Sequence, residues 1–385
     1  MPIPVVLLPL SAGLINIMKK LLTVVLLAII AITQSAWSQI SSDPIALLHV
    51  SVVDVRSGET KPDMTVLVWK NRIIQIGSSK TVHVPKNART IDARAKYLIP
   101  GLWDMHVHSL WDANRPPLFF PLFLANGLYR GAESCLLRHS RGSAERWNSF
   151  CRSRSARNRS GRSVEHLMGI LLYSSWKSDE LKADLRKGTN INQINSQLVD
   201  TYDPSRAAVL YALFVKNNTW QVPTLTIRHA RPYLQELQAS NDPRLKYMPS
   251  TIVESWGPHV DQRQPASPEV IASRKRLFQK ELEVVASMHR AGVKLFAGTD
   301  TPNPYCFPGF SLHDELGFMV QAGLTPLEAL QTATINPAEF LGLSKIFGTV
   351  EKDKIADLVP LDANPLENIA NTKRIVAVVS SGATP

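Results

Sequence analysis

Residues 96–110 read KYLIPGLWDMHVHSL, and the rest of the architecture is built around them. A short apolar run ends at Pro100-Gly101, and a second one leads into the polar cluster His106-Val107-His108. In a strand, residues i and i+2 point to the same side, so an HxH at a strand end delivers two imidazoles to one metal ion. By itself the pair fits two half-exposed histidines on a strand end equally well.

Upstream, ALLHVSVVDV and MTVLVWKNRIIQIG within residues 45–97 are β-branched, partly alternating and punctuated by Ser57-Gly58 and Gly77-Ser78, which predicts a small β-domain. Downstream of 178 the pattern turns helical. Residues 178–187 and 204–217 are amphipathic, QVPTLTI after Trp220 reads as a buried strand, and residues 267–291 form a long charged helix before the strand VKLFAGTD. Helix–strand alternation of this kind indicates an α/β fold with parallel strands. Thr325-Pro326-Leu327-Glu328 is a capping box with proline at the first helical position, and Asn336-Pro337 opens another helix ending near Gly342. IADLVPLD and RIVAVVSSG return to strand character, so the tail is expected to rejoin the first β-domain.

Further candidates lie at predicted strand ends. Asp300, in Gly298-Thr299-Asp300, leaves the carboxyl end of a buried strand, where α/β barrels place catalytic groups, although such an aspartate also caps helices. His166 ends the short apolar stretch Ser163-Val164-Glu165-His166, and His313 follows in SLHDEL; each, taken singly, also reads as a structural histidine. His229, His259 and His289 have no supporting pattern.

Composition narrows the classes. The chain has 385 residues, 44% hydrophobic and 19% charged, which excludes a disordered or fibrous polymer. Its three cysteines make no disulfide framework or CxxC site. The formal charge of +11 suggests nucleic acid, but residues 130–163 hold nine arginines against two acids and no lysine, so the excess sits in one Arg/Ser-rich, aperiodic window. A folded nucleic-acid-binding surface spreads its charge more widely, and no nucleic-acid partner is expected. From Met18, MKKLLTVVLLAIIAITQSAWSQI has a basic start, an apolar run and the small-x-small site Ala36-Trp37-Ser38. This is the anatomy of a secretory signal peptide over residues 1–38, with Gln39 as first mature residue. An apolar run of about 12 residues is short for a membrane span of about 20, so contact with a membrane is expected only in transit, with an uncleaved anchor as the alternative.

Taken in order, IPGLWDMHVH, SVEH, PTL, AGTD, LHDEL and then LTPLEALQTATINPAEFLGL and GTVEKDKIADLVPLDANPL strongly resemble the amidohydrolase superfamily, and within it the secreted imidazolonepropionase-like and Xaa-Pro dipeptidase-like branch. The resemblance covers roughly 45–128 and 161–380. It implies a (β/α)8 TIM-type barrel over 98–344, flanked by a small β-sandwich domain assembled from 45–97 and 345–385. It also implies a centre of one or two divalent metal ions at the carboxyl ends of the strands, zinc first, with manganese or iron also suited to mixed imidazole and carboxylate ligands. Carried over residue by residue, His106, His108 and His166 match metal ligands, Asp300 matches the aspartate that binds metal and shuttles the proton, and His313 is similar in position to a residue near the substrate. The implied activity is hydrolysis of a carbon–nitrogen bond in a small cyclic amide or a dipeptide-like substrate.

The departures from the pattern are equally definite. A full barrel takes about 250 residues, so the interval from His108 to His166 is too short for the units that belong there. No lysine occurs between Tyr97 and Trp176, so the bridging lysine of two-metal members is absent. The resemblance stops at Leu128 and resumes after the aberrant segment 129–162, which points to an internal deletion with a frameshift and to a barrel lacking most of its second to fifth strands. The same departures fit a non-catalytic remnant of the family.

Overall fold

The β-branched alternation at the start of the domain produces strands β1 (Ile45–Val53), β2 (Thr60–Trp69) and β3 (Arg72–Ser78), an antiparallel meander. This computed structural model describes residues 43–108, 115–133, 162–256 and 267–380. The expected leader, most of the Arg/Ser-rich segment, Cys135, Cys151 and His259 lie outside the described residues. On its other edge β1 takes two parallel partners in succession, β4 (Arg89–Asp92) along Ile45–Leu48 and β5 (Tyr97–Pro100) along Ser51–Val52. Between these two halves His49 adopts φ 60°, where the β1–β2 register shifts. A strand from the far end of the chain, β10 (Leu358–Leu361), pairs antiparallel with β5, so both chain ends build the sheet. Val50, Val66, Leu98 and Leu358 are fully buried in its core. The result is one six-stranded sheet rather than the expected two-layer sandwich, because β1 serves both halves.

The decisive stretch then gives β6 (Leu102–Val107), all six residues of which are buried. After the helix Arg115–Ala125 comes β7 (Leu128–Glu133), parallel to β6. On the other side of β6 runs the 294–301 segment: Met105 N–H donates to Ala297 C=O, Asp300 N–H to His106 C=O and His108 N–H to Thr301 C=O. That segment is bonded in turn to β9 (Thr219–Val222) through Gln221 N–H to Lys294 C=O and Phe296 N–H to Gln221 C=O. β9 pairs in parallel with β8 (Arg162–Glu165). The neighbours therefore read β7, β6, 294–301, β9, β8, a parallel array of five members with helices packed against it.

Two expectations are corrected by the structure. The second strand is present, since β7 continues into the segment assigned to 129–162 as far as Glu133, and β8 starts inside that segment at Arg162. QVPTLTI is a strand only to Val222: Pro223 has no N–H for a ladder, Thr224 turns at φ 52°, and Leu225–Ala230 is helical. In line with the short interval from His108 to His166, the array does not close into a barrel among the described residues; β7 and β8 are its edges.

The capping box forms as the sequence predicts, with Thr325 and Glu328 exchanging side-chain and backbone bonds ahead of the helix Pro326–Thr332. The long amphipathic helix Pro268–Arg290 buries Phe278, Leu282, Val285 and Met288 in the same core as Leu295 and Ala297 of the array. Beneath the strand ends Trp220 and Phe296 stack with centroids 4.5 Å apart. One glycine is forced by this packing. A Cβ on Gly298 would lie 2.4 Å from Val222 Cγ1 and 3.0 Å from the backbone nitrogen of His106. No helix among the described residues is long and apolar enough to cross a membrane.

Candidate metal centre

Three strand ends deliver the site. β6 carries His106 with His108 just beyond it, the turn after β8 carries His166, and the end of the 294–301 segment carries Asp300. All lie at the carboxyl ends of parallel strands, where backbone conformation is free to aim side chains across the array. Asp300 and His166 adopt φ 63° and 61°, in the left-handed region that non-glycine residues seldom enter.

The side chains converge. Nε2 of His106 and Nε2 of His108 lie 3.1 and 2.6 Å from the same oxygen, Asp300 Oδ1, and His166 Nδ1 is 3.9 Å from Asp300 Oδ2. One ligand atom each from His106, His166 and Asp300 fall within 4.8 Å of one another. His108 adjoins this trio through Asp300. The rings of His106 and His166 meet edge to face at 4.6 Å. Tight convergence of two imidazoles and a carboxylate from three strands is a donor set that suits a divalent cation, zinc included.

Electrostatics follow the geometry. Burial opposes ionisation of Asp300, but hydrogen bonds from His106 and His108 outweigh it and hold the carboxyl well below the ordinary carboxylate range. His106 is likewise penalised by burial, yet Asp300 raises its pKa. Burial takes His166 down to about 3, with Asp300 offsetting only part, so its imidazole is neutral at pH 7 and able to donate a lone pair.

Residues that the sequence reading passed over hold these groups in place. Asp104 is 1% exposed and accepts hydrogen bonds from Thr299 N–H at 3.0 Å, Thr299 O–H at 2.6 Å and His106 N–H at 3.1 Å. It clasps the GTD turn onto the HxH strand, and burial lifts its carboxyl to about 6. The period of two through 104, 106 and 108 was a usable signal for it. Thr224 Oγ1 donates to Pro223 C=O, so it accepts from His166 Nδ1–H at 2.8 Å and fixes that ring's tautomer. Glu315, fully buried, accepts from Leu225 N–H, Thr226 N–H and Thr226 O–H, anchoring the turn that carries Thr224; burial raises its carboxyl to about 8. Nothing in the local sequence links Glu315 to residue 225.

His313 is placed elsewhere. It is 2% exposed, its Nε2–H donates to Asn126 C=O at 3.1 Å, and its Nδ1 meets Thr372 Oγ1 at 3.0 Å. Both nitrogens thus bind protein groups, and the ring ties the helix Phe310–Gln321 to residues 126 and 372 rather than joining the cluster.

Comparison with known proteins agrees with this architecture. The amidohydrolase family profile matches residues 255–384. Over that stretch the chain is similar to the amidohydrolase family. Among curated relatives, ochratoxinase of Aspergillus niger is 35% identical over 100 residues, 26% of this chain and 20% of that protein. Imidazolonepropionase of Pseudomonas savastanoi pv. phaseolicola is 36% identical over 87 residues, 22% of this chain and 21% of that protein. The chain therefore matches these relatives over about a fifth of their length. The solved structure of a prolidase complexed with N-methylphosphonate-L-proline shares the fold, with a TM-score of 0.56 and 18% identity over 89% of this chain and 99% of that one.

Proposed function

We propose that this amidohydrolase hydrolyses a carbon–nitrogen bond in a small cyclic amide or dipeptide-like substrate, using a divalent metal ion held by His106, His166 and Asp300 with His108 adjoining. The observation that carries this reading is the convergence of those three ligand atoms within 4.8 Å, from strands that are far apart in sequence. When bound, such a cation lowers the pKa of water towards about 7 and polarises a carbonyl. Asp300, buried and held ionised by its histidine partners, is the group placed to accept a proton from attacking water and return it to the departing nitrogen. Thr224 and Asp104 keep His166, His106 and Asp300 in register for that exchange. The relatives support this choice of bond, since one solved neighbour carries a proline analogue. Export by the leader at residues 18–38 belongs to the same proposal, with Gln39 as the mature amino terminus.

The test is metal analysis of the purified chain alongside turnover on a panel of dipeptides and lactams. About one metal ion per chain, lost in His106→Ala, together with hydrolysis lost in Asp300→Asn, supports the proposal; background metal and no turnover overturn it. A second reading, a remnant with a site but little turnover, is favoured by one observation. Among the described residues β7 and β8 have no further neighbours in the array.

A further inference from the structure

The cluster is closed on most sides. The side chains of His106, His108 and Asp300 are 3%, 5% and 7% exposed, whereas that of His166 is 25% exposed. His166 also lines a cleft of about 470 Å³, so an occupant of the cleft lies beside the most accessible member of the centre. Four helices wall the cleft with aliphatic side chains: Leu171 from Ile170–Ser174, Leu198 from Ile191–Asp200, Ile227 from Leu225–Ala230 and Leu277 from Pro268–Arg290. All four are buried, while Met168 is an exposed member of the lining.

The charged groups of the lining are already committed. Arg228 donates to both oxygens of Glu281, from Nε at 3.0 Å and from Nη2. Arg231 is also engaged within the protein. Asn195 and Tyr173 add an amide and a phenol but no charge. An ionic group entering here would give up hydration without meeting an uncommitted counter-charge, whereas an apolar group covers aliphatic wall. Size narrows the choice further. A cavity of about 150 Å³ lined by apolar residues suffices for benzene. The cleft thus has room for an aryl or branched side group together with part of the backbone that carries it, and a methyl group would leave most of the wall without dispersion contacts.

We infer that this cleft receives a bulky, uncharged apolar side group of the substrate, with Leu171, Leu198, Ile227 and Leu277 setting that preference. The inference deepens the hydrolase reading and rests on it for its consequence, that the amide adjoining this side group is presented to the cluster beside His166. The chemistry of the wall determines the preference, so it is expected with or without the metal ion.

The test is calorimetric titration of the purified full chain, metal-stripped and metal-loaded, with N-acetyl-L-phenylalaninamide, N-acetylglycinamide and the para-carboxy derivative of the first. The phenylalanine probe is expected to bind at least about tenfold more tightly than either of the others in both states. Leu277→Trp, which fills the cleft, should reduce its advantage over the glycine probe to about threefold or less. Met168→Glu changes an exposed position and so keeps the test decisive if the tryptophan variant does not fold. It should weaken the phenylalanine probe at least about threefold and leave the glycine probe unchanged. Equal affinity for the phenylalanine and glycine probes, tighter binding of the carboxylated one, no binding at millimolar concentration, or a preference that survives both variants overturns the inference. Failure of the hydrolase reading shows differently, as absence of stoichiometric metal and of turnover while the phenylalanine preference remains.

Discussion

The six-stranded sheet and the parallel array both bury apolar strands, yet they depend on the chain in opposite ways. In the sheet, β1, β2 and β3 are neighbours in sequence and in space, and only β10 arrives from afar. In the array, β6 finds one partner at β7 nearby but the other nearly two hundred residues away, at the segment ending in Asp300. The sheet is a local structure that one distant strand completes. The array exists only through distant pairings, and the candidate centre sits on those pairings. Perturbing the sheet should therefore change stability alone, whereas perturbing the array should change stability and metal binding together.

The largest expected effect tests the centre itself. Asp300→Asn keeps a residue that tolerates φ 63° but removes the charge that faces three histidines. Turnover should fall by about 10³-fold and bound metal should be lost, read by kcat/KM and by metal analysis. Retained metal would show that the histidines alone suffice.

Next comes a pH effect from the array's support. Burial lowers His313 from its ordinary 6.5 to about 4. The folded state thus resists a proton that the unfolded chain accepts, so stability is full above about 6.5 and declines as pH falls towards 4, by up to about 3 kcal/mol. Denaturation midpoints across that range should show the decline, and His313→Gln should flatten it. An unchanged slope would remove His313 from the account.

Two core substitutions set the regions against each other directly. Gly298→Ala forces a methyl against Val222 and the His106 backbone, costing roughly 1–3 kcal/mol and weakening metal binding. Val66→Ala, in the fully buried core of the sheet, should cost about 2 kcal/mol with metal affinity unchanged. Equal effects on metal affinity would show that the sheet supports the centre as directly as the array does.

The smallest expected effect is a control that touches neither. Thr325→Ala breaks the capping box ahead of Pro326–Thr332 and should cost about 1 kcal/mol in thermal denaturation, with metal and turnover intact.

Features that rest on spacing along the chain were legible in the residues alone. The β1–β3 meander follows from alternation, the helix at Pro326 from its capping box, and the shared face of His106 and His108 from the period of two. The ordered motifs also placed His166 and Asp300 with them. The tertiary structure alone decided what depends on groups distant in sequence. It clasped Asp104 onto Thr299, aimed Thr224 at His166, braced residue 225 with Glu315, and drew His313 away to Thr372. It also carried β7 on to Glu133, where the Arg/Ser composition alone gave no strand signal, because pairing with β6 supplies the hydrogen bonds that β-propensity there does not. Periodicity records which face a residue presents, but a buried polar group is satisfied by whichever strand or helix the fold brings opposite, and no local pattern encodes that partner.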